Sequence, residues 1–152
     1  MANGLRNSLP GAVLFCCTQN VIRSPMAEGM LKQLLGKKIY VDSVGVRAGE
    51  LDPFAVAAMD EIGIDMAKHK PKTFDALEDS SFDLIISLSP EAQHKAVDMT
   101  RTMACDVEFW NTFDPSIVEG SREQRMEAYR EVRDRLMDRI RDRFPILGAP
   151  KI

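Results

Sequence analysis

Short apolar runs alternate along the chain with longer segments whose apolar positions recur at helical spacing. Ala12-Val13-Leu14-Phe15-Cys16 is a continuous apolar run, the pattern of a strand buried on both faces. Ser24-Pro25 then offers an N-cap followed by proline at the first helical position. Met26, Ala27, Met30, Leu31, Leu34 and Leu35 share one helical stripe, which Gly36 closes. Ile39-Tyr40-Val41 reads as a second strand. Asp52-Pro53 repeats the cap-and-proline start for a helix carrying Phe54, Ala57, Ala58 and Ile62 and stopping at Gly63. Phe82 to Leu88 reads as a third strand, and Ser89-Pro90 opens a helix running to about Val97. Asp106 to Trp110 is a shorter, more alternating fourth strand. A long amphipathic helix follows, started by Ser121 and Gln124 as a capping box. Its stripe is Met126, Tyr129, Val132, Leu136, Ile140 and Phe144.

Strands alternating with helices predict βαβ units with right-handed crossovers. The fold class is therefore α/β: a single three-layer domain with a central four-stranded parallel sheet flanked by helices. At 152 residues the chain fits one domain. Residues 11–152 read as that domain, and residues 1–10, small and polar, as a loose N-terminal arm. The net charge of −3 excludes a globally basic nucleic-acid binder, so no nucleic-acid partner is expected. Three cysteines and two histidines are too few for a zinc-ligand array. The odd cysteine count and the lack of a secretion signal predict reduced thiols and a cytoplasmic location. Apolar runs such as Leu84 to Leu88 fall far short of a membrane span, so no membrane partner is expected either.

In open α/β sheets ligands bind beyond the carboxyl ends of the strands, which directs attention to the loop after Cys16-Cys17. A loop wrapped between Cys17 and Ser24 can turn successive backbone N–H groups inward as an anion nest, with a helix N-terminus behind it. Arg23 supplies a planar fork matched to two phosphate oxygens. The same positive field favours the thiolate of Cys17, the nucleophilic form. Asn20 is the mid-loop residue that readily takes left-handed backbone angles. Ser24 can cap the helix or hydrogen-bond the Cys17 sulfur.

The run Phe15-Cys16-Cys17-Thr18-Gln19-Asn20-Val21-Ile22-Arg23-Ser24-Pro25-Met26-Ala27-Glu28 resembles the signature of the low-molecular-weight protein tyrosine phosphatases and of the related thioredoxin-coupled arsenate reductases. The similarity extends from Gly11 to Phe144, with Asp114-Pro115 as a second motif. It implies that Cys17 is the nucleophile, that Arg23 binds the phosphoryl group with Thr18, Gln19, Asn20, Val21, Ile22 and Ser24, and that Asp114 is the general acid. It further implies that Ser43 and His69 support the loop through Asn20. Four sites, two single residues and two dipeptides, depart from the family pattern. Gln19 stands where glycine is usual and Ile22 where many members carry a second cysteine. Leu88-Ser89 replaces a common Met-Asp, and Ser116-Ile117 follows Asp-Pro where eukaryotic members have aromatic residues. Val21 is apolar, as in tyrosine phosphatases, where phosphoarginine phosphatases carry threonine.

Three functions are consistent with these residues. The first is a phosphomonoester hydrolase, foremost a protein tyrosine phosphatase, acting through a cysteinyl-phosphate intermediate. Its partners would be a phosphotyrosine protein or small aryl phosphate, with phosphate as product and inhibitor; no cofactor or metal is required. The second is arsenate reduction, for which the family's relay cysteines would lie after the third strand, where Ser87 to His94 contains none. The third is a non-catalytic phosphate-binding module. Lys68, Lys70 and Lys72 are expected on a solvated face, Trp110 and Phe113 in the core, and His94 exposed on a helix.

Overall fold

A computed structural model describes residues 9–77 and 81–145. Of the expected arm, residues 1–8 lie outside the described residues; Leu9 packs against the main apolar core. The elements alternate as the hydrophobic pattern requires: β1 (Ala12–Cys17), α1 (Arg23–Leu35), β2 (Tyr40–Gly45), α2 (Pro53–Asp60), β3 (Leu84–Ser87), α3 (Pro90–Met99), β4 (Asp106–Phe109) and α4 (Arg122–Arg143). Single 3₁₀ turns sit at Phe74–Ala76 and Pro115–Ile117.

The four strands form one parallel sheet in the order β2-β1-β3-β4. Period-two alternation divides its side chains between two apolar layers. Val13, Phe15, Cys17, Leu84 and Ile86 face α1 and α4, with α2 packed beyond, whereas Ala12, Leu14, Cys16 and Ile85 face α3. The expected three-layer α/β architecture is present. Asp52 accepts from the backbone N–H groups of Phe54 and Ala55 to start α2, and Ser89 from that of Ala92 to start α3. Ser121 and Gln124 close a capping box on α4, and its whole expected stripe is buried.

Differences from the sequence pattern lie mostly at element ends. β2 runs on to Gly45, while β3 and β4 stop short of the expected Leu88 and Trp110. α2 ends at Asp60, and Gly63 turns the chain beyond it with φ +79. α1 begins two residues early, at Arg23. Ile22 occupies the N-cap position with no side-chain cap, because the Ser24 hydroxyl is used on the preceding loop. No described helix is long and apolar enough to cross a membrane. The strand order places β1 between β2 and β3, so the chain steps from β1 to one side and then crosses back past it to the other. The crevice beyond Cys17 is the topological switch point where such sheets bind ligands.

Candidate functional site

The loop from Cys17 to Arg23 is held from outside by its own carbonyls. Those of Cys17, Thr18 and Gln19 accept from the N–H groups of Val46, Arg47 and Gly49 at 3.0, 2.9 and 3.1 Å. In a trans peptide unit the C=O and N–H point opposite ways. Outward carbonyls at 17, 18 and 19 therefore turn the N–H groups of Thr18, Gln19 and Asn20 toward the loop centre. The result is a ring of donors for an anion.

Asn20 makes the sharp turn at φ +60, the conformation expected of it. Its fully buried amide donates to Ser24 Oγ (2.8 Å) and Ser43 Oγ (3.0 Å). Its Oδ1 accepts from the Lys72 backbone N–H and meets His69 Nε2, each at 3.0 Å. Ser43 in turn donates to Glu28, which carries an ion pair with Lys32 and lies 3.7 Å from His69 Nδ1. Burial pushes the His69 pKa below the usual histidine value, against the pull of Glu28. Lys68 and Lys70 are exposed, but Lys72 is not on a solvated face: it is half-buried in an ion pair with Asp42 at 2.6 Å.

Cys17 closes the floor, with its Sγ 2.9 Å from Ser24 Oγ. Arg23 is nearly buried and donates from Nη1 to the carbonyl of Thr112 at 2.9 Å. Its Nη2 lies 3.5 Å from Thr18 Oγ1, which itself donates to Ser89 Oγ at 3.0 Å. Asp114 comes from the loop after the edge strand β4, 91 positions after Arg23 in the chain. Its Oδ1 accepts from both the N–H and the hydroxyl of Ser116, at 2.9 and 2.7 Å, which leaves Oδ2 for a substrate.

These parts enclose one hollow of about 110 Å³, lined by Cys17, Thr18, Gln19, Val21, Ile22, Arg23, Asp114 and Ser116. The space suits an oxyanion rather than a whole substrate. A thiol, a ring of amides, a guanidinium and a carboxylate converging there can bind a tetrahedral anion and move a proton. The structure thus brings Cys17, Arg23 and Asp114 together, with Asn20, Ser24, Ser43 and His69 as the frame. Val21 and Ile22 line the hollow with side chains packed into the core. Among the described residues, no group of three or more His, Cys, Asp or Glu is placed to hold a metal ion. Trp110 is buried as expected, but Phe113 is not a core residue: 56% exposed, it lines a larger hollow of about 1010 Å³ between the Asp114 loop and α4. His94 is exposed on α3.

Two supporting residues escaped sequence reasoning. Glu28 carried a signal, an acid inside an otherwise apolar helix stripe. Gly45 carried almost none, yet a Cβ there would sit 2.8 Å from both Asn20 N and Gln19 C and 2.5 Å from Arg47 O. These are backbone atoms with little room to yield. Gly45→Ala should therefore push the loop off the end of β2, costing about 1–3 kcal/mol, the usual range for overpacking. A thermal melt and a phosphate-binding titration check this. Unchanged melting and binding would mean that the loop does not rest on that strand end.

Residues 12–147 match the low molecular weight phosphotyrosine protein phosphatase family. An arsenate reductase of Bacillus subtilis (strain 168) is 35% identical over 130 residues, covering 86% of this chain and 92% of its own. Among solved structures, an arsenate reductase in the phosphate binding state superposes with a TM-score of 0.68 at 29% identity, covering 86% and 94% of the two chains. A low molecular weight protein tyrosine phosphatase from T. tengcongensis gives 0.69 at 27% identity, covering 84% and 92%.

Proposed function

Because the chain belongs to the low molecular weight phosphotyrosine protein phosphatase family, we propose that it hydrolyses phosphomonoesters, with aryl phosphates such as phosphotyrosine as substrates. Cys17 Sγ attacks phosphorus from the floor of the loop and forms a thiophosphate bond while the ester oxygen leaves. Arg23 and the inward amides hold the equatorial oxygens through the transition state. Asp114 Oδ2 protonates the leaving oxygen, then as a carboxylate takes a proton from the water that cleaves the S–P bond. Phosphate departs and the thiolate returns. The observation that carries this reading is the convergence of Cys17, Arg23 and Asp114 on one hollow of oxyanion size.

The second reading, arsenate reduction, has a specific observation in its favour: the name of the curated relative at 35% identity. Relatives' names favour it over hydrolysis. Its chemistry needs two electrons. Cys17 would displace water from arsenate, and a second thiol would attack Cys17 Sγ, forming a disulfide and releasing arsenite. Cys16 points to the opposite sheet face and packs near the Ala92 carbonyl. Cys105 immediately precedes β4, at the other end of the parallel sheet from Cys17. About five residues of strand separate the two levels, roughly 16 Å at about 3.3 Å per residue. Disulfide formation requires Cα atoms within about 7 Å. The second thiol would therefore come from another molecule, whereas hydrolysis uses only groups already at the hollow. One preparation tests both, by release of an aryl alcohol from an aryl phosphate and by arsenate-dependent oxidation of a supplied thiol. Thiol oxidation without aryl phosphate turnover would overturn the hydrolase reading.

Asp114→Asn should slow aryl phosphate turnover by about 10²–10⁴-fold, the usual worth of general acid–base catalysis. The defect should shrink as the leaving group becomes a weaker base. An equal defect across a series of substituted phenyl phosphates would remove Asp114 from proton transfer.

A further inference from the structure

Beside the anion hollow, the start of α4 carries two arginines in an unusual place. Arg122 and Arg125 lie in the first turns of α4, where the helix dipole disfavours cations. Arg130, Arg133 and Arg143 on the same helix each hold a carboxylate. Among the described residues, none lies within ion-pair distance of Arg122 or Arg125. Both instead lie over one ring in cation–π contact, with their guanidinium carbons 5.3 and 4.6 Å from the centroid of Phe54. A cation–π contact uses none of a guanidinium's donors as a hydrogen bond to an acceptor, so its N–H groups remain available to fork onto an oxyanion. Two such groups over a single ring concentrate positive charge with no carboxylate in ion-pair contact.

The platform is tied to the anion loop. Phe54 stacks on Tyr129 at 5.3 Å, and the Tyr129 hydroxyl donates to Asp52, whose N–H lies 3.5 Å from the Val21 carbonyl. Arg125 also lines a hollow of about 480 Å³ with Ser116, Ile117, Val118, Glu119 and Gly120. Ser116 belongs to both this hollow and the anion hollow, and forms the ridge between them. Ile117, 66% exposed, offers an apolar step on that ridge. The acidic groups facing this region are Glu119, Asp52 and Asp114. The last two are already engaged, by Tyr129 and the start of α2 and by Ser116. A chain that left the anion hollow over Ser116 would therefore meet two guanidiniums that, among the described residues, hold no carboxylate in ion-pair contact, with Glu119 as the acid left without a bonded partner beside them.

We propose that Arg122 and Arg125, held on Phe54, take an acidic side chain beside the phosphorylated residue, so that the substrate is an acidic phosphopeptide segment rather than a small phosphate ester. The inference deepens the hydrolase reading and rests on it for turnover, but recognition is measurable alone. The probes are two phosphotyrosyl peptides, one with glutamates flanking the phosphorylated residue and one with glutamines. Cys17→Ser protein should bind the glutamate peptide about three- to tenfold more tightly, the range expected of two exposed ion pairs. Wild-type kcat/KM should show the same ratio, and raising NaCl from about 50 to 500 mM should collapse it as screening shortens. In Arg122→Gln/Arg125→Gln protein the ratio should fall to near one. Equal handling of the two peptides by unmodified protein at low salt, or a ratio that survives the double substitution, overturns the inference. Aryl phosphate turnover with no peptide preference would leave the hydrolase reading standing and remove this one. Preferential binding without any turnover would do the reverse.

Discussion

Cys17→Ser protein is expected to lose aryl phosphate turnover by about 10⁴–10⁶-fold, the scale on which removing a covalent nucleophile acts, and still to bind phosphate. Both halves follow from the loop. A serine hydroxyl fits beside Ser24 Oγ but is scarcely ionised near neutral pH, so it attacks phosphorus poorly. The donors for the anion are the loop's own amides, turned inward by carbonyls bonded to Val46, Arg47 and Gly49, and no cysteine is needed to keep them there. Single-turnover kinetics and calorimetric titration with phosphate measure the two effects separately. Turnover within about a hundredfold of wild type would remove Cys17 from the bond-making step.

Arg23→Lys should cost about 10³–10⁵-fold, comparable to losing an arginine that stabilises a transferring phosphoryl group elsewhere. Arg23 uses Nη1 on the Thr112 carbonyl and approaches Thr18 Oγ1 with Nη2, so its plane is fixed before any ligand arrives. Lysine keeps the charge but has neither the plane nor the fork. The same contact joins the anion loop to the segment bearing Asp114, so a lysine there should also loosen the acid. The check is kcat/KM for an aryl phosphate, together with the basic limb of its pH profile. A loss below about tenfold would place Arg23 away from the phosphoryl oxygens.

Much of this was legible in the amino-acid order. The buried run at 12–16, the Asp52-Pro53, Ser89-Pro90 and Ser121 to Gln124 starts and the α4 stripe all report local physics, and each reappears in place. Cys17, Asn20 and Arg23 were legible because a tight anion loop demands particular residue types in order. Ser24 left two readings open, a helix cap or a bond to the Cys17 sulfur, and the folded loop shows the second, with its hydroxyl engaged by Cys17 and Asn20. Gly45 and the Thr112 carbonyl were not legible. Their roles depend on backbone approaches between segments far apart in the chain, and no side-chain chemistry announces a carbonyl. Phe113 was misjudged because an aromatic favours burial on average, while this one stands on the rim of a hollow.

The placement of the three thiols also decides how the protein ages under oxidants. A reactive cysteine converted to sulfenic acid is rescued when a nearby thiol traps it as a disulfide. Cys16, though adjacent in sequence, is sealed into the opposite apolar layer, and burial pushes its pKa up, away from the thiolate that trapping needs. Cys105 lies at the wrong end of the sheet, and Ile22 fills the loop position from which another thiol could reach. Brief peroxide treatment should therefore carry Cys17 on to sulfinic and sulfonic acids, with loss of activity that dithiothreitol does not restore. Phosphate in the loop should slow that loss. Mass spectrometry of the Cys17 peptide reads the outcome, and a dominant internal disulfide with full recovery by dithiothreitol would contradict it. A cell that relies on this protein would have to restore its activity by new synthesis rather than by reduction.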